Sequence, residues 1–119
     1  MNLRTSIREV EGITIVDITG RIILGEETSA LREIVRGLIA QGKTKIVLNL
    51  AEVDYIDSSG VGELVSCYTR VRNAKGQLKL LNLQKKVHDL LQITKLYTVF
   101  DVKEDEFTAV KSFDWYFAK

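Results

Sequence analysis

The sequence predicts an α/β domain: a mixed sheet of about five strands that opens with an antiparallel pair and is covered by about four helices. Three observations carry this. After the first two β-like segments, stretches with apolar residues at three-and-four spacing alternate with short segments that read as strands, which implies parallel strands joined by helical crossovers. The first two segments are separated only by Glu11-Gly12, which resembles a hairpin turn. The length of 119 residues, with 45% hydrophobic and 28% charged, fits one globular core and not two, so residues 1–119 read as a single domain.

Taken in order, Leu3 to Val10 and Ile13 to Thr19 supply the antiparallel pair. Gly20 is expected to end the second strand. That leaves Arg21-Ile22-Ile23-Leu24-Gly25 as an apolar loop, either a partner surface or part of the core. Leu31, Ile34, Val35, Leu38 and Ile39 form one helical stripe, with Glu27 or Thr28 near its start. Glu26 and Glu27 suit the positive end of that helix's dipole, and Gly42 suits its left-handed terminator. Residues 45–50, Lys45-Ile46-Val47-Leu48-Asn49-Leu50, read as a buried strand, and residues 59–72 as a helix on the spacing of Val61, Leu64, Val65 and Tyr68. Asn73-Ala74-Lys75-Gly76 turns into a fourth strand, Gln77 to Leu83. Val87, Leu90 and Leu91 predict a short helix, Tyr97 to Val102 a fifth strand, and Phe107, Val110 and Phe113 a last helix. The tail, residues 113–119, holds Phe113, Trp115, Tyr116 and Phe117, and either closes the core or contacts another chain as a homo-oligomer.

Composition removes several function classes. Lys and Arg number 17 against 16 Asp and Glu, a formal charge of +1, so nothing drives direct nucleic-acid binding. No apolar run reaches the roughly 18 residues of a membrane span. Cys67 is the one cysteine and reads as a small buried hydrophobe, so no internal disulfide forms and a cytoplasmic setting fits. With a single His88, read as a surface residue, no metal site is expected. A G-x-S-x-G elbow fails because Ile56 stands two residues before Ser58, and no phosphate-binding G-x-x-x-x-G-K-[ST] loop occurs. No enzyme activity and no cofactor are therefore expected. Proline is absent, which rules out proline-rich linkers.

The most informative run is Asp57-Ser58-Ser59-Gly60-Val61-Gly62, at the junction of the strand and the helix that follows it. A helix start leaves backbone N–H groups without partners, so two hydroxyls there suit capping, an anion, or a phosphate carried by a serine. Gly60 and Gly62, lacking side chains, are expected to let another backbone approach the serines closely.

With Ile46-Val47-Leu48-Asn49-Leu50, Thr19-Gly20 and Leu90-Leu91, the hexad resembles the STAS domain, specifically the bacterial anti-sigma factor antagonists, over about residues 3–112. The resemblance implies a cytoplasmic switch protein that binds an anti-sigma factor, usually a protein serine kinase, and so releases a sigma factor for transcription; a phosphatase resets it. It implies Ser58 as the phosphate acceptor, Ser59 as the helix cap, and a partner surface of Asp57, Ser58, Ser59, Gly60, Val61 and Gly62 with Arg21, Ile22 and Gly25. Family members commonly carry a Leu-Asp pair shortly after the Thr-Gly, where this chain has Arg21-Ile22-Ile23. Two other readings use the same residues: a scaffold subunit of a multi-domain signalling assembly, and a small-molecule or nucleotide-binding module with its anion at the helix start.

Overall fold

A computed structural model describes residues 3–117, with side chains through Phe113. The elements are β1 (Arg4–Val10), β2 (Ile13–Ile22), α1 (Glu26–Ala40), β3 (Lys45–Ile56), α2 (Ser58–Asn73), β4 (Gln77–Leu81), α3 (Lys85–Ile93), β5 (Asp101–Lys103) and α4 (Glu106–Phe117). The five strands form one sheet in the order β1-β2-β3-β4-β5, antiparallel between β1 and β2 and parallel elsewhere. The expected class, its five strands and its four helices are all present.

Period-two alternation sends each strand's apolar residues to two faces. Val16 and Ile18 of β2, Ile46 and Leu48 of β3, and Leu78 and Leu80 of β4 face α1, α2 and α3, where Leu31, Val35, Leu64, Val71, Val87 and Leu91 complete the larger core. Ile13, Ile15, Val47 and Leu81 face the other way, against Ala109, Val110 and Phe113 of α4. Cys67 lies fully buried in the larger core, and desolvation there is the main cause that pushes its thiol up to about 12. Phe113 thus closes the smaller core; the side chains of Trp115, Tyr116 and Phe117, on which the rest of the tail expectation depends, lie outside the described residues.

The start of α4 is tied to the hairpin by charge. Arg8 donates from Nε to Asp17 Oδ2 at 2.6 Å and from Nη2 to Glu106 Oε1 at 2.7 Å, while Asn49 donates to Asp17 Oδ1 at 2.7 Å. The Arg8 guanidinium holds both carboxyl groups below their usual range. Among the described residues, no helix is long and apolar enough to cross a membrane.

Four boundaries differ from the sequence reading. β2 does not end at Gly20 but runs to Ile22, and β3 runs to Ile56, because the two stay paired through two register shifts: Asp17↔Asn49 gives way to Thr19↔Glu52, and Gly20↔Val53 to Arg21↔Tyr55. Each shift puts one extra residue on β3, so its core positions step from Leu48 and Leu50 to Val53 and Ile56, and the alternation that marks a strand is lost. β4 stops at Leu81, where Asn82 turns at φ +59°. β5 is only Asp101–Lys103, because the N–H groups of Leu96 and Tyr97 donate to Leu91 O, and those of Val99 and Phe100 to Leu96 O, in turns that leave no strand. Gly42, at φ +79°, follows α1 as expected and donates to Ile39 O at 2.9 Å.

Candidate functional site

The lengthened ends of β2 and β3 bring residues 21–25 beside the start of α2. Asp57, not a serine, caps that helix: its Oδ1 accepts the Gly60 N–H at 2.8 Å. Its Oδ2 accepts the Leu24 N–H at 3.1 Å, and its own N–H donates to Ile22 O at 3.3 Å. A carboxylate has two oxygens with which to serve helix and loop at once, which one hydroxyl at Ser58 or Ser59 does less well. The expectation that Ser59 is the cap is corrected accordingly. Desolvation pushes the Asp57 carboxyl up, but the N–H donors of Gly60, Leu24 and Ser59 outweigh it and hold the group below its usual range.

A stability prediction follows from this geometry. Asp57→Ala should lower unfolding free energy by about 1 kcal/mol, as cap removals do. Because the folded pKa is depressed, the contribution of the carboxylate is complete above the ordinary aspartate value near pH 4 and is lost as pH falls below it. Urea unfolding at pH 7 and at about pH 3 checks both statements: the gap between the native chain and the Ala variant should narrow in acid.

With the cap made by Asp57, Ser58 stands as the first residue of α2, exposed, its hydroxyl not drawn into the cap. The rest of the expected partner surface divides by burial. Arg21, Gly25 and Gly62 are exposed and Ser59 and Asp57 half-buried, whereas Ile22, Gly60 and Val61 are buried. Gly60 is small for an internal reason: a Cβ there would stand 2.1 Å from Ile22 O and 2.6 Å from Ile56 Cγ1. The close backbone approach expected from a partner is made at Gly60 by the end of β2. At Gly62 a Cβ would meet nothing within 4 Å, so only the second glycine is open to an outside chain.

Leu24, from the apolar loop the sequence singled out, is 73% exposed and is tied by its N–H to Asp57, next to Ser58. Tyr55, 48% exposed and lining a cleft with Ser58, carried no sequence signal. Tyr55, Ile56, Asp57, Ser58, Lys86 and Leu90 line a cleft of about 450 Å³ between the start of α2 and α3. Behind the serine, buried Glu63 accepts from Arg32 Nη2 at 2.8 Å, tying the second turn of α2 to α1. A separate cavity of about 490 Å³, beside Tyr68, Arg72, Lys79 and Asp101, does not include the hexad.

The family model described as "STAS domain" matches residues 4–109. The "Anti-sigma-B factor antagonist" of Bacillus subtilis is 32% identical over 102 residues, covering 86% of this chain and 92% of that protein. Among solved structures, an anti-sigma factor antagonist from Mycobacterium paratuberculosis superimposes with a TM-score of 0.81 at 18% identity, covering 92% of each chain. The Bacillus cell fate determinant SpoIIAA in its phosphorylated form gives 0.69 at 20% identity, covering 92% of this chain and 98% of its own.

Proposed function

The chain belongs to the STAS domain family, and from that premise we propose that it is an anti-sigma factor antagonist switched at Ser58. Unmodified, it binds an anti-sigma factor of the protein serine kinase type in the cytoplasm and so frees a sigma factor for transcription. Phosphorylated on Ser58, it lets the anti-sigma factor go, and a phosphatase restores it. It acts as a binding module, without cofactor and without catalysis of its own.

The observation that carries this reading is the position of Ser58: exposed, first in α2, and relieved of capping by Asp57. A hydroxyl with a structural task would be an awkward acceptor, since modifying it would break the fold. Here a phosphate adds about −1.5 to −2 charges at a helix start, where negative charge is tolerated, and at a surface a packed partner must desolvate. Leu24 and Tyr55 offer that surface exposed apolar area to anchor a partner, and Gly62 has open space around it for the partner's approach.

The test is chemical. Incubated with its cognate kinase and ATP, the chain should gain one phosphate, which peptide mass spectrometry places on Ser58, and Ser58→Ala should gain none. A phosphate mapped to another residue, or equal labelling of the Ala variant, overturns the proposal.

A further inference from the structure

We propose that Lys86 is the counter-ion of the phosphorylated serine, drawn onto the phosphate across the cleft between α2 and α3. The inference rests on Ser58 being the acceptor and adds what receives the new charge. Ser58 and Lys86 line the same cleft, over apolar walls made by Ile56, Tyr55 and Leu90. Lys86 is held at that place by its helix: Val87 and Leu91 are buried in the core, which turns Lys86 and Leu90, one helical turn apart, toward the cleft. Gln84 fixes the start of α3 by donating from Nε2 to Ala51 O of β3 at 2.7 Å.

The charges around the cleft leave Lys86 available. Its neighbour Lys85 is committed to Asp89 at 2.8 Å, whereas Lys86 has no ion-pair partner among the described residues. The other charged group on the cleft is Asp57, whose two oxygens already accept the N–H groups of Gly60 and Leu24. A phosphate on Ser58 brings strong acceptor oxygens into a cleft whose lining cation is one unpaired ammonium, on a flexible four-carbon stem. Modification then does two things at one surface. It fills the cleft with a hydrated anion, and it takes away the cation that the unmodified cleft offers to a docking partner.

Phosphoserine incorporated genetically at position 58 of the full chain allows a test that needs no kinase. Its second ionisation, near pH 6 in free phosphoserine, is followed by phosphorus NMR between about pH 4 and 8. A nearby cation favours the dianion, so Lys86→Gln should raise that pKa by about 0.5 unit at low salt. Lys85→Gln, which removes the same charge one residue away, should move it far less, and Lys86→Arg should leave it near the native value. Equal shifts in the two Gln variants, or no shift in either, overturn the assignment. Either result is independent of kinase mapping, which judges the acceptor itself: an unlabelled Ser58 overturns the switch while the titration still reports on the cleft.

Discussion

Ser58→Asp should weaken binding of the anti-sigma factor by about 100-fold relative to Ser58→Ala, with no loss of stability. The first residue of a helix accepts negative charge well, since the unpaired N–H groups of α2 and its dipole favour it by some tenths of a kcal/mol. A docked partner must desolvate the same carboxylate at a surface that also exposes Leu24 and Tyr55, at a cost of roughly 2 to 5 kcal/mol, of which about 3 corresponds to the stated factor. The Ala variant should bind like the native chain, because Asp57 and not the serine hydroxyl makes the cap. Titration calorimetry with the purified partner, beside thermal unfolding of each variant, reads both quantities. Equal affinities for the Asp and Ala variants would remove charge exclusion as the basis of the switch.

Gly60→Ala should cost about 3 kcal/mol of unfolding free energy, while Gly62→Ala, two residues on, should gain up to about 1 kcal/mol. The first adds a carbon 2.1 Å from the Ile22 carbonyl, a backbone atom in a paired strand end that has no rotamer by which to move aside. Such overpacking costs about 1 to 3 kcal/mol where the neighbours are side chains, and a backbone neighbour places it at the upper end. The second adds a methyl group to an exposed helical position with open space around it, where Ala is simply the better helix former. Urea denaturation distinguishes them, and comparable destabilisation by both would show that the backbone contact at Ile22 does not govern the junction. At the partner surface the order reverses: Gly62→Ala should weaken docking in a chain that folds better than the original.

The β/α alternation, the hairpin at Glu11-Gly12 and the terminator at Gly42 were legible because each depends on local chemistry: periodicity, turn composition, a positive φ. The hexad's place at the junction of a strand and a helix was legible for the same reason. What escaped was created by pairing between distant segments. Val53 and Ile56 belong to β3 only through the shifted register with β2, and three-residue spacing does not advertise a strand. Two serines after an aspartate look like the caps, and only the position of Leu24, 33 residues upstream of Asp57, shows why a two-oxygen acceptor is used instead. Gly60 gave no sign that its missing side chain answers to Ile22, nor Lys86 that α3 brings it beside the hexad.

The strap from Asp57 to residue 24 is made to a main-chain N–H, which every amino acid except proline possesses. Residues 23 and 24 are therefore free to drift in sequence without unseating the serine, since nothing in the strap depends on their side chains. Recognition and presentation are in this way uncoupled. One carboxylate holds the start of α2 to the loop, and the side chains of that loop are left open to selection for any partner the proposed switch must distinguish.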